Sequence, residues 1–269
     1  MTAWQAIFLG LVQGATEFLP ISSSGHLVLV PWLLGWQPPD VFFDAVLHLG
    51  TLLAVLIYFW RDLFALALAW LGTLRRRGIK TGMERLAWLI LLATIPAALA
   101  GVLLEGWFES MFGSPRLVAV LLLVTGALLC LAERRGGRRR RAEEANVRDA
   151  LTIGIAQVLA IAPGISRSGA TMSAGLWRGI SRPEAARFSF LLAVPVVGAA
   201  GLLSLLKTTA NGSAADIQLS LLGAAVAALA GTVAIHGLLR FVRAHSLALF
   251  SYYCWLFGGL CLIIALLRG

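Results

Sequence analysis

The chain has 269 residues, of which 59% are hydrophobic and 13% charged, and its mean hydropathy is +0.86. A water-soluble domain carries about a quarter charged residues, so an ordinary soluble fold is excluded and lipid must solvate much of this surface. The formal net charge of +9 falls in clusters between apolar runs, which is the pattern that orients membrane proteins and not one that binds nucleic acid.

The first element, residues 3–35, is apolar but broken at its middle by Pro20 and Ser22-Ser23-Ser24, so it does not read as a plain span. Its sequence from Gln13 to His26 is QGATEFLPISSSGH. Gln13 and Glu17 lie four apart, so a helix puts both on one face. An ionisable group in a membrane segment is costly and marks function. Ser22, Ser23 and Ser24, with Gly25 and His26, follow the helix-breaking proline and supply hydroxyl nucleophiles or donors and a proton-transfer group.

Full spans are expected at about 41–60, 86–104 and 117–133, with Leu63 to Leu74 as an interfacial helix and Glu105 to Met111 as a solvated outer loop. Asp44 and His48, one helical turn apart near the outer end of the first span, are weaker candidates for a shell around the site. The segment 134–148, RRGGRRRRAEEANVR, is a basic cytoplasmic linker, and it places the Arg75–Lys80 cluster and Arg240 with Arg243 on the same side.

Residues 149–178 form a second broken segment that echoes the first. Gly10-Leu-Val-Gln13 recurs as Gly154-Ile-Ala-Gln157, and the PISSSG string recurs as PGISRSG with one residue inserted. In the second copy Arg167 stands between Ser166 and Ser168, after Gly164 and before Gly169 and Thr171. A guanidinium fork suits phosphate oxygens, and hydroxyls with glycine amides complete an anion cradle. Arg167 could also pair with Glu17. Three further spans follow, at about 184–206, 217–239 and 247–267, joined by an outer Thr208 to Asp216 loop.

Each broken segment is thus followed by three spans, and an odd number inverts the second half. The predicted fold is an all-α polytopic membrane protein of six transmembrane helices plus two re-entrant helix-loop-helix hairpins in an inverted repeat. Its units are 1–133, the linker 134–148, and 149–269, within one membrane domain. Two Pro-kinked spans are the alternative reading of the broken segments. Arg178, Arg182 and Arg187 are expected to contact lipid headgroups, and Cys130, Cys254 and Cys261 to pack as apolar groups.

One carboxylate, an amide, hydroxyls, an imidazole and an arginine suit phosphoryl chemistry, and no GxSxG, Walker A or HExxH string offers another. The string QGATEFLPISSSGH resembles the (E/Q)xxxE and PxSSxGH motifs of the bacterial undecaprenyl-diphosphate phosphatases of BacA type, linked to bacitracin resistance. PGISRSGAT matches that family's PGxSRSxxT motif, and the likeness extends through FDAVLHLGTLLAV and RFSFLLAVP.

The resemblance implies hydrolysis of undecaprenyl diphosphate to the monophosphate carrier lipid for peptidoglycan synthesis. It also implies a bacterial inner-membrane location with the site toward the periplasm. It further implies a divalent cation, Mg²⁺ or Ca²⁺. Catalytic positions carry over to Glu17, Ser23, His26 and Arg167. Phosphate-binding positions carry over to Ser22, Ser24, Gly25, Gly164, Ser166, Ser168, Gly169 and Thr171, and metal-binding positions to Glu17 and Gln13. The family often has Glu where this chain has Gln13, and Gln where it has His48, so Glu17 must carry the anionic role. The expected partners are undecaprenyl diphosphate and membrane lipid, without nucleic acid, and a homodimer is compatible. The competing class is a polyprenyl-phosphate transporter or flippase, because inverted repeats with broken helices also build transporters. An acid-phosphatase-like lipid phosphatase ranks lower, for want of the KxxxxxxRP signature.

Overall fold

The computed structural model describes residues 1–134, 139–207 and 214–268. Residues 135–138 of the basic linker and 208–213 of the outer loop lie outside the described residues. Among those described there are twelve α-helices, one 3₁₀ turn and no strand.

The helices begin where the sequence supplies caps. In α1 (Ala3–Phe18), Thr2 and Gln5 form a capping box. Ser22 caps α2 (Ser23–Leu34), and Asp40 caps α3 (Val41–Tyr58) by accepting from Phe43 N at 2.7 Å. Next come α4 (Trp60–Arg76), α5 (Gly82–Leu103), α6 (Glu105–Phe112) and α7 (Pro115–Glu133). The second half holds α8 (Val147–Leu159), α9 (Arg167–Trp177), α10 (Arg182–Lys207), α11 (Ala214–Ala244) and α12 (Ala248–Leu267).

Six of these helices, α3, α5, α7, α10, α11 and α12, are long and apolar enough to cross a bilayer. They expose residues such as Leu99, Leu229, Val233, Leu256 and Ile263, which water would not tolerate as a continuous belt. The chain is a multi-pass membrane protein.

The ends differ from expectation for local reasons. A capping box between Thr81 and Glu84, reinforced by an Arg76–Glu84 ion pair, starts α5 at Gly82 and not near residue 86. The helix α11 runs on to Ala244, so Arg240 and Arg243 are helical. The solvated loop expected at Glu105 to Met111 is the short helix α6, whose Phe108 is buried against Ala162 and Ile165. The apolar run from Leu63 does form an amphipathic helix, α4, which turns Leu66 inward and Phe64, Leu68 and Leu71 outward.

Close helix approaches depend on small residues. The α1 face carrying Gly10 and Gly14 packs on α11, where a Cβ at Gly14 would stand 2.5 Å from the Ala227 carbonyl. On the basic side, ion pairs tie the chain together. Asp149 accepts from Arg140 at 2.7 Å and from Arg178 at 2.6 Å, Arg182 grips both oxygens of Glu133, and Arg187 bridges Asp62 and Glu143. Beyond the headgroup contacts expected of Arg178, Arg182 and Arg187, each thus has a carboxylate partner, and their side chains fasten the linker and helix ends. Burial is the largest influence on the Glu143 carboxyl and tends to raise it. The Arg187 hydrogen bond, a backbone hydrogen bond and the charges of Arg187 and Arg141 together outweigh it and hold the group below its ordinary value of 4.5.

The three cysteines are free thiols, two of them fully buried in apolar contacts, as expected.

Candidate active site

The site forms where two chain breaks meet. The first joins α1 to α2 through Leu19 to Ser22; the second joins α8 to α9 through Ala160 to Ser166. Gly25 on α2 faces Gly164 so closely that a Cβ on Gly25 would lie 3.1 Å from the Gly164 Cα. Gly164 has φ +100°, which a side chain would resist. Ser22 has φ +70° without being glycine, a strained conformation held by local bonds. Its Oγ accepts from Gly25 N at 3.2 Å and its carbonyl accepts from His26 N at 3.2 Å.

Glu17, at the C-terminal end of α1, is the hub. Its Oε2 accepts from Ser23 Oγ at 2.5 Å and from Gln13 Nε2 at 3.2 Å, and its Oε1 accepts from Arg167 at 2.7 Å. The carboxylate is 7% exposed, so a lone charge would be prohibitive; the guanidinium, the hydroxyl and the amide compensate it. Arg167 sits at the first position of α9 and also donates to the Ser189 carbonyl at 3.2 Å. The structure therefore joins Gln13, Glu17, Ser23 and Arg167 as the sequence pattern anticipated, and Glu17 pairs with Arg167 across 150 residues.

Other expected residues are close by but turned to different work. His26 donates from Nδ1 to the Ser22 carbonyl at 2.7 Å, so Nε2 accepts from Tyr253 Oη at 2.7 Å. Its ring stacks beside Tyr253 and Phe257, so neither nitrogen is bonded to Ser23 or Glu17. Ser166 caps α9 by accepting from Gly169 N at 3.0 Å. Ser168 donates to the Leu19 carbonyl at 3.2 Å and so stitches one break to the other. Thr171 donates to the Arg167 carbonyl at 2.8 Å and meets Ser189 Oγ at 2.7 Å. These hydroxyls shape the loop that aims Arg167. Ser24 is half-buried and contacts Ser22 Oγ at 3.4 Å.

Three neighbours carry no site signal in the sequence, and a fourth, His48, is only a weaker candidate there. Thr125 of α7 accepts from Ser166 N at 3.0 Å and donates to the Gly164 carbonyl at 2.9 Å, pinning the second break. Ser189 and Tyr253 have the roles just given. His48 places Nε2 3.8 Å from Glu17 Oε2, closer than its position in the chain suggested. No local motif marks Thr125, Ser189 or Tyr253; each is an ordinary polar residue in a span.

Among the described residues no group of three or more His, Cys, Asp or Glu could hold a metal ion. The donor set nevertheless fits a cation shared with substrate. The Gln13 Oε1 is buried without a hydrogen-bond partner beside the Glu17 carboxylate, and a hard cation such as Mg²⁺ takes one or two protein oxygens and completes its shell with phosphate and water.

Fold and site together define a class: a multi-pass helical membrane protein with a serine–carboxylate–arginine constellation enclosed between two broken helices. The family model described as "Bacitracin resistance protein BacA" matches residues 6–260, and the chain belongs to that family. It is 45% identical over 273 residues to the undecaprenyl-diphosphatase of Thermomicrobium roseum, covering 98% of each chain. It is 46% identical to the undecaprenyl-diphosphatases of Desulforudis audaxviator and Moorella thermoacetica, covering all of each chain.

Proposed function

We propose that this chain is an undecaprenyl-diphosphate phosphatase that releases inorganic phosphate and returns the monophosphate carrier lipid to peptidoglycan synthesis. The observation that carries the reading is Glu17, whose one oxygen takes the Ser23 hydroxyl at 2.5 Å while the other holds Arg167. A carboxylate on a serine hydroxyl is the arrangement that activates a nucleophile. An arginine beside it is positioned for charge developing on phosphate oxygens.

In the proposed reaction Ser23 Oγ attacks the terminal phosphorus as its proton passes to Glu17. The bond from that phosphorus to the bridging oxygen breaks, and the lipid monophosphate leaves. Water then attacks the phosphoserine, giving phosphate and restoring the hydroxyl. Arg167 moves from Glu17 onto the phosphate in the first step, which frees the carboxylate to take the proton. A divalent cation, Mg²⁺ or Ca²⁺, held by Glu17 and Gln13 would supply further positive charge to the phosphate oxygens. His26, held by Tyr253 and Ser22, positions the start of α2 and with it Ser23.

We further read the two broken segments as re-entrant hairpins in an inverted repeat. Packing that recurs between the halves supports this. Gly10 of α1 packs on Gly223 of α11, and its sequence echo Gly154 of α8 packs on Ala93 of α5; α3 meets α11 as α10 meets α5. The site is proposed to open toward the periplasm from the inner membrane. Asp44 and His48, both part-exposed, lie at the end of α3 away from the basic clusters.

Phosphate release from undecaprenyl diphosphate in detergent, where no gradient exists, tests the activity. A transporter would release none, and that result would remove the phosphatase reading. Rapid quenching with substrate labelled in its terminal phosphate should trap label on Ser23.

A further inference from the structure

The Nδ1 of His48 lies 2.9 Å from the Asp44 backbone carbonyl. A carbonyl oxygen only accepts, so Nδ1 carries the proton, and in the neutral ring Nε2 presents a lone pair. That nitrogen faces Glu17 Oε2 at 3.8 Å, beyond the roughly 3.2 Å reach of an N–H···O hydrogen bond. Oε2 is moreover already occupied by Ser23 and Gln13 as donors. Beside them the Gln13 Oε1 is buried with no donor of its own. Glu17 Oε2 thus has the His48 Nε2 at 3.8 Å, and the Gln13 amide that donates to it carries a buried oxygen with no partner.

From this arrangement we infer that His48 is a nitrogen ligand of a divalent-cation site completed by Glu17 and Gln13. This deepens the phosphatase reading and rests on its assignment of Glu17 and Gln13. The 3.8 Å between His48 Nε2 and Glu17 Oε2 suits it: donors about 2.1 Å from one ion stand between about 3 Å apart at a right angle and about 4.2 Å apart when opposed. A histidine ligand donating its other N–H to a backbone carbonyl is also the usual way such a ring is oriented. His48 is about a quarter exposed, so an ion can reach Nε2 without the protein unfolding. An imidazole among oxygen donors shifts preference from Mg²⁺ and Ca²⁺ toward Mn²⁺, Co²⁺ or Zn²⁺. Because Gln13 is neutral, the histidine adds a donor without adding negative charge.

The test uses the whole protein in detergent, loaded with Mn²⁺ alone and examined by pulsed electron paramagnetic resonance. Coupling to one imidazole nitrogen is expected, and it should change when the protein is grown with ¹⁵N-histidine. That measurement needs no variant. His48→Gln, which can still bond the Asp44 carbonyl, should lose the coupling and raise the Mn²⁺ dissociation constant about tenfold or more. Bound Mn²⁺ without histidine coupling, coupling that survives His48→Gln, or no Mn²⁺ site sensitive to Glu17→Gln would each overturn the assignment. The phosphate-release assay is separate. A chain that hydrolyses the lipid but lacks the coupling loses only the ligand. One that shows the coupling but releases no phosphate with any divalent metal loses the phosphatase reading.

Discussion

The two chain breaks that meet at the site solve the same problem in different ways. At the second, the positive φ falls on Gly164, where no side chain opposes it, and Thr125 clamps the two peptide groups that follow it. At the first, the positive φ falls on Ser22, a residue with a Cβ, and the cost is borne by bonds from Gly25 and His26. The unstrained break carries Arg167, a charge that only needs to be aimed. The strained break carries Ser23, whose hydroxyl must sit at 2.5 Å from a buried carboxylate. Strain is thus concentrated where atomic placement is most demanding, as expected of a site that reacts.

Substitutions can break this contrast or sharpen it. The largest effect should come from Ser23→Ala, which removes the proposed nucleophile; turnover should fall on the order of a thousandfold or more, with the thermal midpoint little changed. Near-normal phosphate release would eliminate a covalent role for the strained break. Arg167→Ala should lower kcat on the order of a hundred- to a thousandfold. It also leaves Glu17 unpaired, so Arg167→Lys is the control: it should recover stability more fully than rate, because an ammonium cannot fork across two oxygens.

Gly164→Ala tests the unstrained break directly. A methyl there would strike the Val118 carbonyl and lie 2.9 Å from the Leu121 Cβ, at a φ that alanine resists. We expect a loss of about 2–3 kcal/mol, read as lowered thermal stability in detergent. Ser22→Gly should act in the opposite sense. Glycine relieves the positive φ by about 1 kcal/mol and gives up only a few tenths as a cap. The thermal midpoint should rise while turnover drops severalfold, and a fall in both would mean that Ser22 stores no strain.

The smallest effect lies away from both breaks, at the linker. The Glu143 carboxyl is held below its ordinary value of 4.5, so its contribution is present above that pH and is lost as pH falls through the lower folded value. Amide exchange at residues 140–149 should therefore accelerate only in that acid window, with Ser23 and Arg167 unaffected at neutral pH.

Much of this was legible from residue order. Six apolar runs gave the spans because length and hydropathy report directly on lipid. Gln13 and Glu17 share a face because a helix repeats every 3.6 residues. The sequence did not reveal the carboxylate partners of Arg178, Arg182 and Arg187, since charge near an apolar run looks the same whether its partner is a headgroup or Asp149. His26 was read as a proton carrier from its place beside the serines; its Tyr253 partner, 227 residues away, turns its nitrogens elsewhere.

What the sequence alone determined was therefore local: a membrane protein, its spans, and two motifs rich in hydroxyls with one acid and one arginine. Local periodicity and composition encode that much because lipid and helix geometry act on neighbouring residues. Only the tertiary structure decided that Glu17 holds Ser23 and Arg167 at once, that Ser168 and Thr171 brace the loop, and that His48 stands at Glu17. Those pairings depend on how close glycine-bearing helices can approach, and that distance is set by packing between segments far apart in the chain.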